Sequence, residues 1–177
     1  MRRVLSVLVD DEPGVLARIA ALFSGRNYNI ESISASPTQD PTTAHITIVT
    51  KGDEIVFEQI VKQLRRLICV YKVVDLTGAD YVQRGLVLIK VHTEESKRGE
   101  ILRFAEIFRC KVVDVSLGDL TLEVTGDYSK IQAIIQLLQH FGIREMSYGA
   151  TIAMRRSMQD NQKNKSLRVK NLNREQL

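Results

Sequence analysis

The 177-residue sequence contains no tryptophan, few histidines and cysteines, and no long apolar run. No stretch approaches the roughly 18 to 20 consecutive apolar residues that span a bilayer, so we expect no transmembrane helix. The apolar segment at residues 4–9 reaches Asp10 too early for a signal sequence, and no small-residue cleavage site follows it. We therefore expect a strand here, and no export or transit signal.

The scarcity of cysteine and histidine argues against several kinds of site. Cys69 and Cys110 lie in separate apolar contexts without C-x-x-C spacing, which favours buried free thiols in a reducing compartment over a disulfide. His45, His92 and His140 have no metal-ligand spacing, so no metal site is expected. Because G-x-S-x-G, P-loop and Rossmann glycine patterns are also missing, an autonomous enzyme is the least favoured interpretation.

The positive charge is concentrated at one end of the chain. Residues 155–177 carry seven Lys or Arg against two acids, which gives this segment a net charge of +5. Since the whole chain has a net charge of +4, residues 1–154 carry −1. We predict that residues 158–177 form a basic, disordered tail. It has no aromatic residue to stack on a base, so a solubilising role is favoured over RNA binding.

The first half of the chain shows the pattern β-α-β-β-α-β. Hydrophobic periodicity predicts strands at 3–10, 29–36, 43–50 and 69–76, with helices at 13–25 and 52–66. The residues predicted to face the core from these helices are Val15, Ile19, Leu22, Phe23, Val56, Ile60, Leu64 and Leu67.

The second half repeats this order after a boundary near Gly78. Strands are predicted at 85–91, 111–116, 120–125, 143–148 and, as a short edge, 151–154; helices are predicted at 96–109 and 127–141. Ser96 is the expected N-cap, and Ile101, Leu102, Ala105 and Phe108 are expected to share one face. The helix at 127–141 carries its own apolar stripe, which consists of Ile131, Ile134, Ile135 and Leu138. The offset of about 80 residues indicates an internal repeat.

This pattern predicts an α+β fold class with two ferredoxin-like βαββαβ domains, at residues 1–78 and 79–157. Each domain has an antiparallel sheet with both helices on one face. Because a unit of this size has a thin core and an uncovered second sheet face, we expect it to pair with another copy of the chain.

The candidate binding site is the segment at 11–16, together with the start of the second strand. Pro13 and Gly14 open an apolar helix, whose free N–H groups can hold a small carboxylate. Asn29 offers a donor and an acceptor, and the sequence suggests that it lies next to this loop. A small amino acid between two subunits would then place its carboxylate near Gly14, Val15 and Leu16.

In the same hypothesis, the ammonium of the amino acid contacts carbonyls or the Asp11 and Asn29 side chains, and its aliphatic side chain contacts Val15, Leu16 and Ile30. A purely structural role is the alternative. Acidic residues before a helix act as caps and complement its dipole, and Asn29 fits a turn.

The chain resembles the regulatory small subunit of acetohydroxyacid synthase (acetolactate synthase), a family with ACT domains. The segments that carry the resemblance in the first half are MRRVLSVLV (1–9), PGVL (13–16), LF (22–23), NIESI (29–33) and PT (37–38). Further segments are FEQI (57–60), KQL (62–64), LVLIKV (86–91), EIFR (106–109) and VVDV (112–115). The resemblance covers residues 1–157 and not the tail.

This resemblance implies an ACT domain that dimerises and binds an effector, a second ferredoxin-like domain, and no catalysis by this chain. The implied partner is the large catalytic subunit, where thiamin diphosphate (ThDP), Mg²⁺ and FAD are expected; no cofactor is expected in this chain. The small subunit is expected to activate that partner and to confer feedback inhibition by valine. The site positions carried over are Asp11, Gly14, Val15, Leu16, Asn29 and Ile30.

Asp11 departs from the family, in which many members have Asn, and an ionised carboxylate cannot donate a hydrogen bond. Two other functions are alternatives: a stand-alone amino-acid sensor that acts on another enzyme or a transcription factor, and an RNA-binding or scaffold protein. The low aromatic content of 6% disfavours base stacking on the sheets. Neither a nucleic-acid nor a membrane partner is expected, and the bacterial cytoplasm and the plastid stroma fit equally well.

Overall fold

The structure, a computed structural model, describes residues 2–157. The strands are β1 (Arg2–Asp10), β2 (Ile30–Pro37), β3 (Thr43–Lys51), β4 (Val70–Asp75), β5 (Tyr81–His92), β6 (Lys111–Val115), β7 (Asp119–Gly126), β8 (Ile143–Tyr148) and β9 (Ile152–Arg155). The helices are α1 (Val15–Ser24), α2 (Glu54–Leu64), α3 (Glu95–Ile107) and α4 (Tyr128–Gln139). The predicted basic tail lies outside the described residues.

The first four strands form an antiparallel sheet in the order β2-β3-β1-β4. Alternate residues of β1 point to one face, where α1 and α2 cover them and form a hydrophobic core. The predicted inward residues of α1 are all buried in this core. In α2 the buried residues include Phe57, which the prediction omitted, whereas Val56 is only half-buried. Leu67 lies beyond the end of α2 and is also half-buried.

The second sheet repeats this arrangement in the order β6-β7-β5-β8, and α3 and α4 pack on one face. The four residues predicted to face inward from α4 are buried. In α3, Ile101 and Ala105 are buried, but Leu102 is exposed, contrary to the prediction. The predicted fold class of two ferredoxin-like βαββαβ units is confirmed.

The helix N-termini differ in how they are capped. Asp53 and Asp127 cap α2 and α4, and each carboxylate accepts a backbone N–H three residues later at 2.8 Å. Ser96 is not the cap of α3, because the helix starts earlier and Glu94 holds that position. Gly14 precedes α1 and has no side chain with which to cap it.

A ribbon formed by β9 and the first residues of β5 covers part of the open face of the first sheet. Strand β5 starts at Tyr81 rather than at the predicted residue 85, and its first four residues pair with β9. Ala153 packs in a small buried cluster with Val4, Val49 and Leu76. The chain thus covers part of this sheet face itself. The expected pairing with another copy stays a prediction.

Both cysteines are free thiols; Cys69 is buried and Cys110 is half-buried. Burial raises the pKa of the Cys110 thiol above its ordinary value. Among residues 2–157, no helix is both long and apolar enough to cross a membrane.

Candidate functional site

Gly14 forms an open N-terminus for α1. Its φ of +90° lies in the left-handed region, which glycine adopts without strain, and space is open where a Cβ would stand. No side chain caps the helix. The first-turn N–H groups and the positive end of the helix dipole are therefore directed toward whatever lies in front of Gly14.

Of the two residues that follow Gly14, only one presents its side chain to that space. Leu16 is 45% exposed, whereas Val15 is buried in the core of the first sheet and its N–H donates to the Glu12 carbonyl at 3.3 Å. The expected contact between the Val15 side chain and an effector stays a prediction, although this side chain is buried in the single chain. The helix start offers Leu16 as an apolar contact.

The loop before Gly14 is fixed at its base and is acidic. The N–H of Asp11 donates to the Thr42 carbonyl at 2.9 Å, and its side chain is exposed. The Asp10 carboxylate accepts a hydrogen bond from the Tyr71 hydroxyl, which raises the pKa of Tyr71. The Asp11 carboxylate lies at the edge of this loop, where it can attract a cationic group such as an ammonium.

Asn29 is exposed and immediately precedes β2. Its carbonyl accepts a hydrogen bond from the Thr50 hydroxyl at 2.6 Å, which fixes the backbone. The turn before it is made by Asn27, whose φ is +57°. Asn29 therefore does not serve as the turn residue, and within residues 2–157 its side-chain amide has no hydrogen-bond partner.

The two parts of the predicted site lie at opposite ends of the first sheet. Asp10 pairs with Thr43 at one end of β3, whereas Ile30 pairs with Thr50 at the other. These positions are seven residues apart along β3, which at about 3.4 Å per residue is about 24 Å. The expectation that Asn29 lies next to the 11–16 loop of the same chain is therefore wrong.

Strand β2 is one of the two edge strands of this sheet, and β4 is the other. One side of β2 pairs with β3, and the opposite row of N–H and C=O groups is available to another strand. If a second copy adds its β2 in the antiparallel direction, a two-fold axis brings the helix start of one copy to the Asn29 end of the other. Within one chain the two halves stay apart.

A cluster of charged residues lies beside Asn29 and was not predicted from the sequence. The carboxylate of Glu31 forms ion pairs with Arg2 and with Lys51, which face each other across β1 and β3. A β-bulge in β2 between Ile30 and Ser32 places Glu31 outside the regular pairing. No sequence pattern gives this bulge, because it depends on the register between two strands.

No group of three or more His, Cys, Asp or Glu side chains in the described part of the chain is arranged to hold a metal ion. His45 is paired instead with Ser6, at 2.7 Å between Nε2 and Oγ, and burial lowers its pKa. The loop at 11–16 offers amide donors at the helix start, exposed carboxylates and the exposed Leu16 side chain.

Comparisons with known proteins match both halves of the chain. Residues 5–72 match the family described as "AHAS small subunit-like ACT domain", and residues 84–157 match "Small subunit of acetolactate synthase". The acetolactate synthase small subunit of Aquifex aeolicus is 53% identical over 89% of this chain and 82% of its own length. The probable acetolactate synthase small subunit of Methanothermobacter thermautotrophicus is 48% identical, with 86% and 92% covered.

The solved structures agree with the sequence comparisons. The crystal structure of the acetolactate synthase small subunit from Thermotoga maritima aligns with a TM-score of 0.76 and 38% identity, and covers 88% of this chain and 98% of that chain. The family models match both halves of the chain, and the sequence identity to these relatives points to the same family. The order of helices and strands is consistent with it. This chain belongs to the acetolactate synthase small subunit family, and its first sheet, with α1 and α2, forms an ACT domain.

Proposed function

We propose that this chain is the non-catalytic regulatory subunit of acetolactate synthase. In this role it activates a large, ThDP-dependent catalytic subunit and confers feedback inhibition by valine. ThDP, Mg²⁺ and FAD belong to the partner in this proposal, and this chain binds none of them. We also propose that the chain acts where branched-chain amino acids are made, which is the bacterial cytoplasm or, if the gene is plastid-encoded, the plastid stroma.

The observation that carries the proposal is the separation of Gly14 from Asn29 on a sheet whose β2 edge is open. A homodimer joined through β2 forms two equivalent clefts, each between the α1 start of one copy and the Asn29 end of its partner. We propose that residues 1–78 provide this dimer contact and the effector site, and that residues 79–157 form the second functional domain.

The chemistry of each cleft fits an amino acid with an aliphatic side chain. The uncapped start of α1 at Gly14 accepts the carboxylate. The Asp11 carboxylate and the Asn29 amide oxygen face the ammonium. Leu16 of one copy and Ile30 of the other enclose the aliphatic side chain, so the cleft closes only when both chains are present.

Inhibition follows if valine binds one arrangement of the dimer more tightly than another. A ligand in each cleft fixes the relative position of the two ACT sheets. The large subunit then responds to the arrangement that valine favours. Valine itself does not need to contact the large subunit, because it acts by fixing the arrangement of the small-subunit dimer.

The first test is calorimetric titration of the purified chain with L-valine, and with leucine and isoleucine for comparison. We expect saturable binding of about one valine per chain, as two clefts per two-fold dimer require. Sedimentation in parallel should report a dimer. A monomer that binds valine would contradict the proposed position of the site between chains.

Co-purification separates this function from that of a stand-alone sensor. A tagged chain expressed in its host should bring down a much larger ThDP-dependent protein and raise its acetolactate synthase activity. If valine binds but no such protein is recovered and no synthase is activated, the chain is an amino-acid sensor with another target.

A further inference from the structure

The first residues of β2, next to the proposed effector cleft, contact the second domain through a polar group that we name the Arg2 joint: Arg2, Glu31, Gln83 and Tyr128. Arg2 Nε lies 3.4 Å from a carboxylate oxygen of Glu31. A terminal nitrogen of the same guanidinium donates to the Gln83 side-chain oxygen at 3.3 Å, and its carbon lies 4.5 Å from the centre of the Tyr128 ring. Arg2 therefore connects β2 with both β5 and α4.

A second contact joins the same part of β2 to the chain segment that enters β9. The backbone N–H of Thr151 donates to the Ser32 hydroxyl oxygen at 3.1 Å. Glu31 and Ser32 are consecutive, so two successive residues of β2 hold different elements of the second domain. Any shift of residues 30–32 changes both contacts together.

The space around the joint is not filled by apolar packing. A cavity of about 460 Å³ lies between the two domains, and its walls include Arg2, Glu31, Gln83, Tyr128 and Thr151. The buried apolar contact between the domains lies elsewhere, where Ala153 packs on the first sheet. Apolar residues also line this cavity, namely Ile33, Leu86, Val87 and Ile131, and its unfilled space leaves room for the polar contacts of the joint to rearrange.

The charges of the joint are matched and partly shielded from water. The Arg2 and Glu31 side chains are about one-fifth exposed, whereas Lys51, the other partner of Glu31, is 61% exposed. Removal of Arg2 leaves Glu31 paired with Lys51, so no charge is stranded. The stacking of a planar guanidinium on Tyr128 also depends on orientation, and a Lys cannot reproduce it.

We propose that Arg2 is a positioning residue that carries the effector signal from the start of β2 to the second domain. This inference rests on the proposed valine cleft, because Asn29 and Ile30 contact the effector there and Glu31 follows directly. When valine fixes residues 29–30, Glu31 moves Arg2, and Arg2 shifts α4 and β5 through Tyr128 and Gln83. Arg2 itself does not touch the effector.

The test compares wild type with Arg2→Met in the full-length chain and in the reconstituted holoenzyme. The isolated variant should bind valine with an affinity close to that of wild type, because Arg2 makes no contact with the ligand. The holoenzyme should need about tenfold more valine for half-inhibition, or resist it altogether, as expected when a coupling of ordinary size is lost. Amide exchange at Thr151, followed by NMR, should respond to valine in wild type and not in the variant.

Matched variants make the result specific to the joint. Arg103→Met removes an exposed arginine of α3 and should behave as wild type in every assay. Tyr128→Leu should reproduce the Arg2→Met effect, and the double variant should add little to it, because both residues act through one contact. Tyr128→Leu and Gln83→Leu provide the same comparison if Arg2→Met does not fold.

Normal inhibition in Arg2→Met, an unchanged Thr151 response, or additive effects in the double variant would overturn the inference. Failure of the proposed function has a different signature, which is that wild type itself binds no valine. In that case the rate of Thr151 amide exchange without ligand still tests whether Arg2 holds the two domains together. This rate should be faster in Arg2→Met than in wild type. Equal rates would show that Arg2 does not hold the two domains together.

Discussion

Gly14 and Asn29 lie at opposite ends of one sheet, because Gly14 follows the end of β1 that pairs with Thr43, whereas Asn29 lies beside Thr50. In a βαββαβ unit the first loop and the start of the second strand always have this relation, since β1 and β2 run in the same direction on either side of β3. A ligand that needs both residues must take them from two chains.

Gly14→Asp should abolish the response to valine and leave activation of the large subunit intact. The new carboxylate would lie where the carboxylate of the ligand binds, and like-charge contact of this kind costs several kcal/mol, which is more than about 100-fold in affinity. Calorimetry and inhibition assays measure both effects.

Gly14→Asn is the matched control for this change. Asn has nearly the shape of Asp and meets the same backbone constraint at φ +90°, but it carries no charge. It should keep measurable valine binding. If both variants lose binding equally, backbone strain and not charge is responsible, and the carboxylate position is wrong.

Mixed dimers test whether each site is shared between chains. Chains carrying Gly14→Asp and chains carrying Asn29→His are co-expressed with different tags, and the mixed dimer is isolated by tandem purification. If each cleft takes Gly14 from one chain and Asn29 from the other, one cleft is intact and the other has both changes. The mixed dimer should bind one valine, whereas either homodimer binds none.

A site within a single chain gives the opposite result in the same experiment. Each site of the mixed dimer would then carry one damaging change, and no valine would bind. The stoichiometry from calorimetry therefore separates the two arrangements without a structure of the complex.

Asp11→Asn should weaken valine binding by about tenfold, because a charge-assisted hydrogen bond to the ammonium becomes a neutral one. The analogue 3-methylbutyrate, which has no ammonium, should bind wild type and variant equally. Tighter valine binding in Asp11→Asn would instead place Asp11 beside the ligand carboxylate.

The Asp127 cap should make stability depend on acid pH. Hydrogen bonds from the Lys130 N–H and then the Ser129 hydroxyl lower the pKa of Asp127 below its ordinary value. A lowered folded-state pKa stabilises the protein above the ordinary pKa, and this contribution is lost as the pH falls through the folded value. Because Asp127 is exposed, the effect is about 1 kcal/mol or less.

Thermal melts of wild type and Asp127→Asn between neutral pH and pH 3 would measure this contribution, because Asn caps a helix but does not titrate. The advantage of wild type over the variant should be constant near neutrality and shrink below about pH 5. A difference in Tm that does not change with pH would show that the charge of Asp127 contributes nothing.

Most of the secondary structure could be predicted because each element has its own periodicity. The stripe of α1 and the inward residues of α4 were identified correctly, since burial of one helix face fixes their spacing. Errors occurred where tertiary contacts decide. Leu102 is exposed although it lies on an apolar stripe, and residues 81–84 form strand only because β9 pairs with them.

The candidate site was predicted in part for a similar reason. The glycine at position 14 could be found because only certain residues open a helix after a strand, and the structure gives it the left-handed φ that favours glycine. The burial of Val15 also follows from its spacing with Ile19, although it was assigned to the ligand as well as to the core.

The sequence alone determined the element order, the two repeated units and the buried stripes of α1 and α4, because these depend on local propensity and on apolar spacing along the chain. The family followed from the resemblance of its sequence segments to known members. The placement of the two halves of the site at opposite ends of the sheet follows from the βαββαβ order itself, whereas only the tertiary structure decided that Arg2 connects the domains. Strand register and the placement of one domain on another arise from contacts between residues far apart in the chain, and no local pattern encodes them.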